Sequence, residues 1–298
     1  MILIDFIYHK NMNLRDLKYI VNTAHEGHFA KAAQISFVSQ PTLSMQIKKL
    51  EDELGVQIFE RQNKKFLVTP IGKEILKKAQ IILREADEIK ILAKNSADPL
   101  SGELSIGAFP TIAPYFLPNV VRKISKDFPK LKLILIEDKT NQLIEKLRNG
   151  EIDLAIMAMP VEASDFESKK IFEEEFLLAV PTNHAFAKKK IIKQKELEGE
   201  KLILLEDGHC FRDQALAVCA KIGAGEQTFR ATSLETLKQM VIAGSGITLI
   251  PEVAAKKEPG IVYIRIIKAP KRTIGFYFRK SSPKLAVIKS LTETLLLK

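Results

Sequence analysis

Between Ser39 and Gly55 the sequence leaves little freedom of structure. Leu43, Ile47, Leu50 and Leu54 recur at i, i+4, i+7 and i+11, one apolar stripe along an α-helix. Ser39 is placed as N-cap, Pro41 falls in the first turn where a missing N–H costs little, and Gly55 ends the helix. The face away from the stripe carries Pro41, Thr42, Ser44, Met45, Lys48 and Lys49. Just upstream, Phe29 to Ser36 is rich in alanine (Ala30, Ala32, Ala33), which lets another helix approach closely. Residues 13–55 thus read as three short helices. The last two, joined by a tight turn with the second polar and basic outward, predict a helix-turn-helix. From Gln57 to Thr69, apolar Ile58, Phe59, Phe66, Leu67 and Val68 flank the polar turn Gln62-Asn63-Lys64-Lys65, a hairpin suited to be a wing.

Ile71 to Lys94 continues as a helix about 36 Å long. Ile75, Ala79, Ile82, Ala86, Ile89 and Ala93 alternate spacings of four and three, a heptad seam. Such a seam pairs with a second helix, most simply its twin in a homodimer, or else packs on its own domain. Residues 95–102 break the pattern and read as a linker. Beyond it, strand-like stretches (Leu104–Ala108, Leu131–Ile136, Asp153–Met157, Phe176–Val180, Leu202–Leu205, Ile247–Ile250) alternate with helical ones near Pro114–Phe128 and Thr140–Asn149. That predicts α/β layers with a largely parallel sheet.

Charge narrows the partner only a little. The net charge is +10, which favours an anion such as DNA, yet residues 1–96 hold 15 Lys and Arg against 11 Asp and Glu. Lys188, Lys189, Lys190, Lys193 and Lys195 read as solvated surface. Two cysteines make no disulfide scaffold, and no Cys or His spacing suits a metal. No apolar run approaches a membrane span, so a cytoplasmic protein without membrane contact is expected. Thiol chemistry there must be transient. Met1 to Asn11 lacks a basic n-region and a cleavage site, and reads as an extension ahead of a possible start at Met12.

Phe29 to Arg61 closely resembles the DNA-binding module of the LysR family of transcription regulators. The matching residues are Ala32-Ala33, Val38 through Ser44, Ile47 through Glu51, Leu54-Gly55 and Phe59-Glu60-Arg61, followed by Thr69-Pro70-Ile71-Gly72. The resemblance runs from about Met12 to the end. It implies an α/β chain with an N-terminal winged helix-turn-helix, a long linker helix and a two-lobed α/β effector domain resembling periplasmic binding proteins. The expected boundaries are 12–70 for the DNA-binding domain, 71–95 for the dimerising helix and 96–298 for the effector domain. Lobe I then covers roughly 103–172 and 276–298, and lobe II roughly 173–275.

One block is similar to the peroxide-sensing OxyR branch of that family: Leu205-Glu206-Asp207-Gly208-His209-Cys210-Phe211-Arg212-Asp213-Gln214-Ala215, with Cys219 nine residues after Cys210. So are Pro110-Thr111, Thr140, Asp153, Phe229 to Leu237, Gly244 to Thr248 and Arg272 to Gly275. Asn141 and Thr228 depart, standing where that branch carries histidine. The resemblance implies Cys210 as the peroxide-reactive thiol and Cys219 as its resolving partner. It assigns Thr111, Thr140, Asp153, His209 and Arg272 to the peroxide pocket or to holding the Cys210 loop.

The residues carry some of this chemistry themselves. Asp207-Gly208-His209 reads as a turn and Arg212 to Ile222 as a helix, which sets Cys210 at a helix N-terminus where thiolate is favoured. Nine helical residues rise about 13.5 Å, against the roughly 7 Å between Cα atoms that a disulfide tolerates. A Cys210–Cys219 bond therefore requires that helix to unwind. By itself, however, Cys219 reads equally as a small buried hydrophobe.

For DNA, Ser39, Gln40, Pro41, Thr42 and Ser44 start the helix that would face the groove. Lys48, Lys49, Arg61 and Lys64 are candidates for phosphate or minor groove. The resemblance adds double-stranded promoter DNA, a homodimer through the linker helix, a homotetramer, RNA polymerase, and glutaredoxin or thioredoxin as reductant. It implies no cofactor and no enzyme activity. Three readings stay open: a peroxide-responsive activator, a LysR-type regulator sensing a small molecule between the lobes, and a thiol peroxidase.

Overall fold

Helices α1 (Leu14–Glu26), α2 (Phe29–Ile35) and α3 (Gln40–Leu54) open a computed structural model that describes residues 12–62, 65–95, 98, 100–206 and 225–296. The α3 cap is as expected: Ser39 Oγ accepts the Thr42 N–H at 3.2 Å, and Gly55 closes the helix with a left-handed φ of 68°. Leu43, Ile47 and Leu50 are buried, but Leu54 is 38% exposed. The stripe stops early because the chain turns at Gly55 and Ile58, fully buried, takes over the core position.

The wing is formed by β1 (Phe59–Gln62) and β2 (Lys65–Val68), antiparallel with Phe59 opposite Val68. Glu51 holds its root: one carboxylate oxygen accepts the Ile58 and Phe59 N–H groups at 2.7 and 3.0 Å. Gly72 is needed for close approach, since a Cβ there would lie 2.4 Å from the Ile58 carbonyl oxygen.

Helix α4 (Pro70–Asn95) follows, and its seam divides. Leu76 and Ala79 are buried in the helix-turn-helix core, with Ile75 and Leu83 packed against it. Further on, Ile82 is 41% and Ile89 68% exposed. The early seam residues, Ile75 and Ala79, therefore pack on their own domain, while Ile82 and Ile89 further along stay uncovered. The chain divides into two compact units after Ala93.

The second unit begins with β3 (Gly102–Ala108), α5 (Ala113–Asp127), β4 (Leu131–Glu137), α6 (Thr140–Arg148) and β5 (Leu154–Met159). Next come β6 (Phe166–Pro181), β7 (Ile191–Lys193), β8 (Lys201–Leu205), β9 (Gly225–Ala231) and α7 (Leu234–Ile242). It ends with β10 (Thr248–Pro251), β11 (Ile261–Ile267), β12 (Lys271–Arg279) and α8 (Leu285–Leu296). The main sheet runs β4-β3-β5-β12-β6-β11-β7, with β10 also on β6, while β8 and β9 form a separate parallel pair.

A largely parallel sheet is not what forms. β3 is parallel to β4 and β5, and β11 to β7, but β12 is antiparallel to β5 and β6, and β10 and β11 are antiparallel to β6. The cause is β6, 16 residues long, which leaves one lobe and enters the other while β12 runs back beside it. Phe166 at one end of β6 lies in a core with Leu104, Ile156 and Phe276; Phe176, Leu178, Ala179 and Val180 toward the other lie in a core with Leu204, Leu237 and Ile264. The result is a two-lobed α/β module on a mixed sheet, with β6 and β12 joining its lobes.

Candidate functional site

The first candidate surface is the polar face of α3. Ser39, Gln40, Pro41, Lys48 and Lys49 are exposed and Thr42 and Ser44 half-buried. Ser39 Oγ also hydrogen-bonds Thr42 Oγ1 at 2.7 Å, which fixes the first turn. Lys48 follows Ser44 and Pro41 at i+4 and i+7, and Lys49 follows Thr42 at i+7, so the basic residues continue the rows begun by the capping turn. Ammonium groups, a helix N-terminus and small hydroxyls on one exposed ridge suit a polyanion with readable edges. Arg61 lies in β1 opposite Phe66; its side chain and Lys64 fall outside the described residues.

The second site lies where β6 and β12 pass between the lobes. Thr111, just after β3, and Arg272, second residue of β12, are both buried. Arg272 Nη1 donates to Thr111 Oγ1 at 2.8 Å and Nη2 to the Thr111 carbonyl at 3.3 Å. Its Nε donates to Glu174 Oε1 at 2.7 Å, and Glu174 Oε2 accepts the Val253 N–H at 2.9 Å. The guanidinium carbon lies 5.2 Å from the Phe109 ring centre and 6.0 Å from that of Phe176. A buried ion pair is tolerable only when its remaining donors and acceptors are met, and here both lobes meet them. Sequence reading missed Glu174, Phe109 and Phe176. Their only local signal is one acid among Glu173-Glu174-Glu175, and burial picks out the middle one.

Thr140 opens α6, at the same sheet end as Thr111 because β4 and β3 are parallel. Its Oγ1 is buried without a hydrogen-bond partner among the described residues. Its neighbour Lys139, placed between β4 and α6, reaches Glu206 at the end of β8, Nζ to Oε1 2.8 Å. Asp153 is not brought together with these. It precedes β5, parallel to β3, and therefore sits level with Ser105. That is about 10 Å along the strand before Ala108. Its Oδ2 accepts the Ser105 N–H and the Lys284 ammonium, both at 2.8 Å, so it anchors the far sheet end. His209, Cys210 and Cys219 lie outside the described residues, as does the Thr228 side chain; Asn141 is exposed on α6.

A third contact between the lobes was not expected. Tyr115 of α5 donates to Glu235 of α7 at 3.5 Å. Lys238 joins Glu235 and Glu258, and Tyr263 donates to Glu258. Burial first, then the Glu235 carboxylate, pushes the Tyr115 phenol up to about 12. The Lys238 ammonium holds Glu258 below the usual carboxylate range. Among the described residues no His, Cys, Asp and Glu group is arranged to hold a metal, and no helix is long and apolar enough to cross a membrane.

Comparison with known proteins matches both units. Residues 14–73 match the bacterial regulatory helix-turn-helix protein, lysR family, and residues 97–297 the LysR substrate binding domain. The chain is 45% identical over 289 residues, 95% of each chain, to the DNA-binding transcriptional dual regulator OxyR of Escherichia coli K12. It is 43% identical over 277 residues to the hydrogen peroxide-inducible genes activator of Haemophilus influenzae, covering 91% of this chain and 92% of that one. A full-length OxyR variant from Pseudomonas aeruginosa superposes with a TM-score of 0.76 at 37% identity, covering 96% of this chain and 98% of that one.

Proposed function

Since this chain belongs to the LysR family of helix-turn-helix regulators, we propose that it is a sequence-specific transcription activator switched on by hydrogen peroxide, controlling oxidative-stress genes. The observation that carries this reading is the end-to-end similarity, 45% identity across 95% of both chains, to a regulator named for DNA binding and OxyR. It spans the DNA-facing helix and the sensing module together.

On this reading residues 12–70 bind promoter DNA, 71–95 form the dimerising helix and 96–298 sense peroxide. Ser39, Gln40, Pro41, Thr42 and Ser44 enter the major groove, and Lys48, Lys49, Arg61 and Lys64 meet phosphate or minor groove. The uncovered apolar residues of late α4, Ile82 and Ile89, support a homodimer, with a homotetramer above it. RNA polymerase is the downstream partner and the cytoplasm the setting.

The Cys210 thiolate attacks one peroxide oxygen, the O–O bond breaks, and hydroxide leaves to be protonated, giving a sulfenic acid. The Cys219 thiol then attacks that sulfur and releases a second water. Two thiols and one peroxide thus become a disulfide and two waters, and a dithiol reductant such as glutaredoxin or thioredoxin reverses the change. Thr140, its hydroxyl buried and without a partner among the described residues, His209 and the Arg272–Thr111 clamp shape the pocket. Asp153 serves it only from a distance, by fixing the far end of β3 and β5.

Thiol trapping and mass spectrometry after about one equivalent of peroxide test this, together with promoter binding by both redox forms. A Cys210–Cys219 bond that changes the DNA footprint is expected. If no such bond forms, and a small molecule alters DNA affinity in a Cys210→Ser variant, the chain is a ligand-responsive regulator instead.

A further inference from the structure

We propose that Lys139 is a positioning residue for peroxide sensing: its ion pair with Glu206 ties the root of the Cys210 segment to the lobe that carries Thr140. The inference rests on the peroxide-sensing reading above. Glu206 is fixed on one side by its own lobe, where β8 pairs with β9 and the Glu206 N–H donates to the Ala231 carbonyl at 2.9 Å. Its carboxylate points to the other lobe and accepts from Lys139 Nζ at 2.8 Å. Lys139 is itself held, its N–H donating to Asp138 Oδ1 at 2.9 Å while Lys146 pairs with Asp138 at 3.2 Å.

Chain connectivity supplies the rest. Cys210 follows Glu206 by four residues, so its Cα lies within about 14 Å of the Glu206 Cα whatever path the backbone takes. Lys139 immediately precedes Thr140, whose hydroxyl is buried and unpaired among the described residues. The pair therefore sets Glu206, the residue from which the reactive segment departs, against the N-terminus of α6. With Lys139 gone, Glu206 keeps its β8 neighbours and loses this ion pair to the opposite lobe.

The side chains are 31% and 42% exposed, so the tie is of the strength that salt weakens. The test is the rate of Cys210 oxidation by peroxide in the full chain, read by quenched alkylation because the protein has no tryptophan to report it. Lys139→Met should react about two- to fivefold more slowly, the range a partly exposed ion pair supports. Its melting temperature should be unchanged. Lys139→Arg should retain the wild-type rate, and Lys139→Glu combined with Glu206→Lys should recover what either reversal alone loses. Raising salt should slow the wild type toward Lys139→Met and leave that variant alone. A wild type inert to peroxide overturns the sensing reading and this inference with it. A reactive wild type matched by Lys139→Met, or slow single reversals not rescued by the double one, overturns the tie alone.

Discussion

The outward face of α3 and the clamp around Arg272 are both made of polar groups, but they are assembled in opposite ways. On α3 the cap, the buried stripe and the outward polar residues all fall between Ser39 and Gly55. In the clamp, Arg272 reaches across 161 positions to Thr111 and 98 to Glu174. The first surface keeps its charges in water, where they cost little and are available to a polyanion. The second removes a guanidinium and a carboxylate from water and must satisfy both. A polar residue therefore stays open to a partner in one region and joins two lobes in the other.

That contrast predicts the largest effect at Glu174. Glu174→Ala strands the Arg272 guanidinium in the core and should cost about 3–5 kcal/mol in urea unfolding of the second unit. A loss below one kcal/mol, on the order of a surface pair, would erase the distinction. Ser39→Ala removes one exposed cap and should cost about 1 kcal/mol in the first unit, with weaker DNA binding as the helix start frays. Lys49→Ala should leave unfolding unchanged and lower the salt slope of DNA binding by about one, equally on all sequences. An unchanged slope removes Lys49 from the phosphate contacts.

The smallest effect concerns the Tyr115–Glu235 contact between the lobes. The Tyr115 phenol is raised from 10.0 to about 12 in the folded chain, so the unfolded chain releases that proton first. Its contribution to stability is thus complete below pH 10 and is lost as pH rises through about 12. Tyr115→Phe should flatten that alkaline decline in a pH series of melting curves. An unaltered decline would assign it elsewhere, Tyr263 being the next group raised in the same cluster.

Much of the architecture was readable from local pattern. The three short helices, the wing, the long helix and six strands of the second unit all lie where periodicity and turn residues place them. What escaped were features that periodicity does not carry. The pattern predicts β6 only over Phe176 to Val180, because the stretch before it, with Lys169, Lys170 and Glu173 to Glu175, reads as solvated chain until β12 is laid beside it. The α4 seam reads as one surface, yet Ile75 and Ala79 pack on the helix-turn-helix core while Ile82 and Ile89 stay exposed. Asp153 was grouped with Thr111 and Arg272, and strand direction separates them.

The order of amino acids was enough to settle the helix-turn-helix, its outward residues and the family resemblance, because each depends on neighbours within one or two helical turns. It could not say that Glu174 neutralises Arg272, that the Thr140 hydroxyl is buried without a partner among the described residues, or that Lys139 meets Glu206. Those meetings arise when β6 and β12 cross between lobes and carry remote segments together. A side chain's burial and partners depend on that crossing, and spacing along the chain holds no record of it.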